Sequence, residues 1–365
     1  MAVEAMVRHG HDREVHAWID WYQDRLEDLP RGLSPVTRED WREALGEAQR
    51  LGDWTAFMLR EVQLRPWREL LAEWWPRLLP GIAAGATHGV IRVGHSVRAL
   101  LAEESEPQSS TRPRAADATH TEDGGAASSI AVTDGLRLTA SKIAVADGPR
   151  IAEFAHALAY WAARWKPLNV ATPPRAGRVD ASTALAGIPS VPEQAISVSH
   201  RLSQLSDTVG WSSALGALHA AETPQQAAEL LGAVADAAVL DYLVHGHGGP
   251  VMLVHASTAP TAALRTLPAL PESLWIPSLD AAWLATAAVT AAYRDSEAPA
   301  EEVAKAVAQT GDGGEAARET FDRAVRHKDE HAVKFADAAL DSFARTGSKY
   351  ALAAATRATL MIKEG

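Results

Sequence analysis

Apolar and small residues recur at spacings of three and four along most of the chain, which is the period of an amphipathic helix. The first such segment covers 12–28 and ends before Pro30. Thr37, followed by Arg-Glu-Asp, reads as an N-cap with acids in the first turn. Helices are then expected over 38–50, 53–64 and 66–79, with Pro66 at the start of the last. A buried, small-residue helix follows from 81 to 102, where Gly81, Gly85, Gly89 and Gly94 let neighbouring backbones approach at some cost in helix propensity. Residues 103–129 read as a flexible, low-complexity polar loop inserted into a domain. A short strand pair is expected around Asp134-Gly135. Gly148-Pro149 opens another helix, and 167–191 is Pro/Gly-rich loop. Helices are expected at 192–209 and 224–244, the second with Thr223 as cap and Pro224 as first helical residue. Segments 278–295, 299–309, 328–345 and 348–362 complete the helical pattern.

Composition sharpens this reading. Alanine is abundant and is accompanied by Leu, Glu and Arg, all strong helix formers, so the expected fold class is all-α. The 365 residues can bury a large core, and we expect one multi-helix, bundle-like domain over 1–365 with the polar loop inserted. The absence of cysteine removes disulfides, thiolate zinc sites, iron–sulfur clusters and cysteine nucleophiles. Any metal must be held by nitrogen and oxygen. A net charge of −11 argues against a nucleic-acid partner, which would need a basic face. Residues 1–11 contain no apolar stretch of signal type, and the longest apolar run, Ala281 to Tyr293, is too short to span a bilayer. No membrane partner is expected, and the expected location is cytoplasmic.

The candidate chemistry lies in histidines. His327 and His331 are four apart and Lys334 follows three later, so a continuous helix would put all three on one face. Such a pair can hold a metal from one rigid element, although the surrounding Lys, Asp, Glu and Arg also fit a plain solvated face. His88, Arg92 and His95 lie on one side of the small-residue helix, where buried polar groups need partners. His156 sits among apolar residues, one turn before Tyr160 and Trp161. His255 lies in an apolar run followed by Ser257 and Thr258. Each of these alone fits a hydrogen-bonded core histidine. His120 falls in the polar loop and His245 and His247 in a turn, where no ligand is expected. Trp41, Trp54, Trp67, Trp74 and Trp75 occur at helical spacing and are expected in the core. An all-helical fold can gather His88, His156, His255 and His331, as bundles do around metals.

Four blocks carry a resemblance. Thr87-His-Gly-Val-Ile-Arg-Val-Gly-His, Ala155-His-Ala-Leu-Ala-Tyr-Trp, Leu253-Val-His-Ala-Ser-Thr-Ala-Pro and Asp329-Glu-His-Ala-Val-Lys-Phe together resemble the questin oxidase-like family, in order and over most of the chain. The resemblance implies an oxygenase that opens a ring, or cleaves a carbon–carbon bond, of a polycyclic aromatic polyketide of anthraquinone type. Dioxygen and a small aromatic molecule are its implied partners. It also implies non-haem Fe(II) held by His88, His156, His255 and His331, with Lys334 as a carboxylated lysine. Arg92 stands where many members have a second histidine and His95 where tyrosine is frequent, so His88 and His95 are both candidates for the first ligand. Arg92, His95, Tyr160 and Trp161 are candidate pocket residues; Tyr160, Trp161 and Trp165 equally fit core packing.

The implied chemistry is coherent. Imidazole suits iron, and no sulfur competes. Burial lowers the proton affinity of a lysine, and its neutral amine can then take up carbon dioxide. No Gly-x-Gly-x-x-Gly and no Walker motif occurs, so no motif supports NADPH or flavin, while the resemblance leaves a reductant open. The competing readings are a metal-independent Baeyer–Villiger-like oxidase using NADPH, a zinc hydrolase, and a non-catalytic helical binding protein.

Overall fold

Capping residues, glycines and prolines set where each helix of this chain starts and stops. The computed structural model describes residues 1–25, 30–105, 148–170, 173, 177–195 and 197–365. Among them the fold is all-α. The chain begins with α1 (Ala2–Arg8), α2 (Val15–Tyr22), α3 (Trp41–Ala44), α4 (Leu51–Leu64) and α5 (Trp67–Leu78). Then come α6 (His88–Ser105), α7 (Pro149–Arg164) and the short α8 (Ala181–Ala186), α9 (Val198–Ser203) and α10 (Trp211–Leu215). Three long helices follow: α11 (Pro224–His245), α12 (Pro250–Thr266) and α13 (Trp275–Tyr293). The last are α14 (Ala300–Ala308), α15 (Gly313–His327), α16 (Glu330–Thr346) and α17 (Lys349–Met361). The extended pairing among the described residues is limited to two isolated bridges, Gly177 with His219 and Val179 with Leu218.

Several elements differ from the sequence pattern. The segment 38–50 splits into α3 and a short 3-10 turn, and of 192–209 only Val198–Ser203 is α-helix, followed by a 3-10 turn at Leu205–Asp207. The helix α8 lies inside the stretch 167–191, capped by Asp180, whose side chain accepts from the Thr183 backbone N–H. The helix α6 begins at His88, well after 81, because Gly85, Ala86 and Thr87 are all left-handed, with φ of 56°, 52° and 61°. The helix α12 runs through Pro260. Proline there removes one N–H, and the carbonyl of Ala256 that it would have served accepts the Thr286 hydroxyl at 2.9 Å instead. At the start of the polar stretch read from 103, α6 continues to Ser105; residues 106–129, with His120, lie outside the described residues, as does the strand pair expected at Asp134-Gly135. So do 26–28 of the expected first helix.

The interior holds two hydrophobic clusters. One joins α4, α5, α6, α7 and α13 around Trp54, Trp74, Trp75, Trp161 and Trp283. The other joins α1, α11, α15, α16 and α17 around Tyr242, Phe321 and Phe335. The helix α12 contributes Ala259, Ala262 and Ala263 to the first and Leu253, Val254 and Ala256 to the second. It packs directly on α6, α11, α13 and α16 and so forms the seam. The stretch Glu272–Tyr293 is long and apolar enough to cross a bilayer, yet 61% of its apolar window is buried in the fold. It is longer than the apolar run 281–293 because the helix begins upstream of it.

A buried ion network closes the seam. The carboxylate of Asp337, fully buried on α16, meets Arg8 at 2.8 Å, Arg98 at 2.9 Å, Arg265 at 2.7 Å and His9 at 2.9 Å. It thereby ties α1, α6 and α12 to α16. Shielding a buried carboxylate with three guanidinium groups is the arrangement that makes its burial tolerable.

Close approach of α6 and α12 depends on Gly94. A Cβ there would lie 2.7 Å from the Cα, Cβ and carbonyl oxygen of Ala262. Gly94→Ala gains about 1 kcal/mol of helix propensity but forces the backbones apart, which costs about 1–3 kcal/mol. The net expectation is a lower urea midpoint for Gly94→Ala. A midpoint equal to or above that of the wild type would show that the contact is relaxed.

Candidate metal centre

The site is built where α6, α12 and α16 meet. His88 is the first residue of α6, held at the end of the left-handed Gly85-Ala86-Thr87 turn. Such a turn costs about 1–2 kcal/mol for each non-glycine residue in it, and strain of this kind collects at functional sites. His255 lies in the first half of α12 and is buried. His331 and Lys334 are one turn apart on α16, whose cap is Asp329. The Asp329 Oδ1 accepts the backbone N–H groups of His331 at 2.8 Å and Ala332 at 3.3 Å.

The donor atoms of His88, His255 and His331 lie within 4.8 Å of one another. The Nε2 atoms of His88 and His255 are 3.2 Å apart. Lys334 Nζ is 3.4 Å from His88 Nε2. The His331 ring centroid is 5.3 Å from that of His255 and 6.1 Å from that of His88.

The protonation of these rings follows from their other nitrogens. His255 Nδ1 lies 3.1 Å from the carbonyl of Val251 and 3.2 Å from that of Met252, so it carries the proton and donates. The backbone of Gly85 hydrogen-bonds the His88 ring. Burial pushes His88 down to about 3, helped by the charge of Lys334 and by His331. Burial also pushes His255 well below the usual histidine range. Both rings are therefore neutral, and their Nε2 atoms face each other at 3.2 Å. With its proton on Nδ1, His255 offers a bare Nε2 there, open to an imidazole N–H of His88 or to a metal ion, while Lys334 reaches His88. The arrangement fits a positive species between them. A metal ligand with its remote N–H fixed by a backbone carbonyl is the usual orientation of such imidazoles.

Lys334 is also buried, and burial pushes its amine down to about 8, with Glu330 and Asp329 opposing the shift. Asp329 Oδ1 and Glu330 Oε1 stand 3.3 Å and 3.6 Å from His331 Nδ1. Three imidazoles, one amine and two nearby carboxylates make a nitrogen and oxygen donor set without sulfur.

The other candidate residues lie elsewhere. His156 stands outside the group, half-buried on α7, where it feels Arg92 and Glu153. Arg92 makes a two-pronged ion pair with Glu153 at 2.6 Å and 2.8 Å. His95 is buried on α6 with its Nδ1 2.6 Å from Glu4, inside the Asp337 network. The group Glu4, His95 and Asp337 is close enough for a cation, but Arg8, Arg98 and Arg265 already supply its positive charge. Of the two first-block histidines, His88 is thus the one in the cluster. Trp161 is core: its indole N–H donates to the Gly81 carbonyl at 3.2 Å and it meets Trp75 edge-on. Tyr160 carries the Arg164 guanidinium over its ring at 5.7 Å.

The shared face expected for His327, His331 and Lys334 does not form. Lys328 is left-handed at φ 65°, ending α15 and turning the chain before α16. His327 instead places Nε2 3.0 Å from the Ile362 carbonyl. The sequence reading overlooked Asp329, Gly85 and the carbonyls of Val251 and Met252. An aspartate before a helical run is a cap signal that could have found the first; a backbone carbonyl leaves no mark in a sequence.

Comparison with known proteins places the chain in no group: no family model matches it, and no curated protein does.

The two buried neutral rings make metal-free stability depend on pH. Their folded values lie below the unfolded value near 6.5, so the unfolded chain binds the protons. The stabilisation is complete above pH 6.5 and is lost as pH falls toward about 3. Each ring steepens the decline by up to about 1.4 kcal/mol per pH unit. Urea unfolding of the metal-free protein at pH 7, 6, 5 and 4 is expected to show a slope that flattens in His88→Gln/His255→Gln. An unchanged slope would mean that these rings are protonated or solvated in the fold.

Proposed function

We propose that the chain is a non-haem-iron oxygenase that opens a ring, or cleaves a carbon–carbon bond, of a polycyclic aromatic polyketide. The observation that carries this reading is the convergence of the Nε2 atoms of His88 and His255, 3.2 Å apart, with His331 and Lys334 beside them. The nitrogen and oxygen donor set suits iron among several metals that imidazole binds, and the choice of iron rests on the four-block resemblance. Support for the substrate class comes from the four-block resemblance alone.

Iron bound here would supply the activation of dioxygen. The residues of the chain supply the rest. His88, His255 and His331 would hold the ion, and the carbonyls of Val251 and Met252 with the backbone of Gly85 fix the ring orientations. The nearly complete burial of His255 and Lys334 keeps bulk water from that side. Lys334, with its amine lowered to about 8, is neutral in a useful fraction of molecules near neutral pH. Its nitrogen lone pair can attack carbon dioxide, and release of one proton to solvent leaves an anionic carbamate as an oxygen ligand. In the unmodified state the same amine donates to His88 Nε2. His156 has no assigned part in this centre.

The test is metal content joined to oxygen uptake. Wild-type protein reconstituted anaerobically with Fe(II) and desalted is expected to retain near-stoichiometric iron by inductively coupled plasma mass spectrometry. His255→Ala and His331→Ala are expected to lose it. Oxygen uptake with hydroxyanthraquinones should appear in the loaded wild type alone. Absence of metal from the reconstituted wild type, or turnover that survives loss of iron, would overturn the reading and favour a metal-independent oxidase or a binding protein.

A further inference from the structure

The three imidazoles of the cluster are not supported alike. Backbone groups orient two of them: the Val251 and Met252 carbonyls face His255 Nδ1, and Gly85 hydrogen-bonds the His88 ring. His331 has charge beside it instead. Its Nδ1 stands 3.3 Å from Asp329 Oδ1 and 3.6 Å from Glu330 Oε1. That nitrogen is buried from solvent and makes no hydrogen bond of regular geometry among the described residues. A lone pair on Nδ1 would face two carboxylates, so the proton of the neutral ring belongs there. The lone pair is then left on Nε2.

Neither carboxylate is neutralised by a cation of its own. Among the described residues the ion pairs of Asp329 and Glu330 are with His331, and no lysine or arginine comes within salt-bridge distance of them. Asp337, two turns along the same helix, is by contrast shielded by three arginines. Burial raises the phenols of Tyr22 on α2 and Tyr242 on α11, and the charge of Asp329 adds to the shift in both. The carboxylate thus acts close to aromatic side chains, in a setting where a charge-assisted hydrogen bond is stronger than in water. Of the two acids Asp329 is the better placed. It is the nearer, and its Oδ1 is pinned by the backbone N–H groups of His331 and Ala332 at 2.8 Å and 3.3 Å. Capping alone does not call for a carboxylate here, since asparagine and serine cap about as well as aspartate.

We propose that Asp329 is a positioning residue: its carboxylate takes the Nδ1–H of His331, holds that ring in the Nδ1–H form and aims the basic Nε2 at the cation shared with His88 and His255. This role rests on the metal-centre part of the oxygenase reading. Asp329 then acts through the imidazole and is not itself a ligand. A carboxylate behind an imidazole makes the ring a stronger donor, so Asp329 sets how tightly the centre holds a divalent cation. Glu330, farther away and anchored by no backbone group, contributes its charge but not the orientation.

The test uses the full-length protein in two states. In the metal-free protein at about pH 8.5, where an ordinary imidazole is neutral, long-range proton–nitrogen correlation spectra of ring-labelled histidine report which nitrogen carries the proton. The His331 signals are identified by their loss in His331→Gln. The wild type is expected to show the proton on Nδ1, and Asp329→Ser to move it to Nε2 in most molecules. Titration with Co(II) against a competing chelator then reads the affinity. Asp329→Asn is expected to weaken Co(II) binding about tenfold, and Asp329→Ser about tenfold to a hundredfold. Urea midpoints of both should stay close to that of the wild type, because all three residues cap the helix. Glu330→Gln should change the affinity by less than about threefold. A proton on Nε2 in the wild type, or an Asp329→Ser protein that holds Co(II) as tightly as the wild type, would overturn the proposal. The two readings fail differently. A wild type that takes up no Co(II), yet keeps a His331 proton placed by Asp329, sinks the metal centre and with it the hold of Asp329 on a cation. A wild type that binds Co(II) but is indifferent to Asp329 sinks the positioning role and leaves the centre standing.

Discussion

Two neutral, buried imidazoles meet Nε2 to Nε2 at 3.2 Å with a lysine amine beside them, and the rest of the site is arranged around that contact. Neither ring can turn away cheaply. His255 is buried and tied to carbonyls of its own helical turn. His88 is fixed by the left-handed turn that precedes it. Burial holds both rings neutral through the physiological range, so neither brings a charge of its own. The bare Nε2 of His255 is open to an N–H of His88 or to a metal ion, and a metal ion would serve both rings.

The scaffold is arranged to keep the three helices at this meeting point. Gly94 lets α6 reach the backbone of α12, and Thr286 repairs the carbonyl that Pro260 leaves open. Asp337, one turn beyond Lys334, locks α16 to α1, α6 and α12 through three arginines. The donors thus come from three separate elements joined by a network of charges, and α12 shares both hydrophobic clusters. Rigid support of this kind holds ligand atoms in place before a ligand arrives.

Much of the fold was legible because helix period, alanine content and caps such as Thr223 point the same way. His88, His255, His331 and Lys334 were legible as chemistry in unusual settings, polar groups inside apolar or helical runs. Three things were not. The break at Lys328 follows from one left-handed residue in a run of good helix formers, and it separates His327 from His331. The late start of α6 depends on Ala86 and Thr87 adopting a conformation that their side chains disfavour, which no propensity scale foresees. The placement of His156 beside Arg92 and Glu153 is decided by how α7 packs on α6, which periodicity along α7 alone does not specify. The arginine network around Asp337 was hidden for a related reason, since its members are up to 329 positions apart.

The central claim is that these imidazoles share a cation. X-ray absorption at the iron K-edge, on protein loaded with one equivalent of Fe(II) without oxygen, tests it most directly. The account predicts a first shell of nitrogen and oxygen only, with the outer-shell multiple scattering that imidazole rings produce, and loss of that scattering in His88→Ala. A spectrum of hydrated iron, or one unchanged by the substitution, would contradict it.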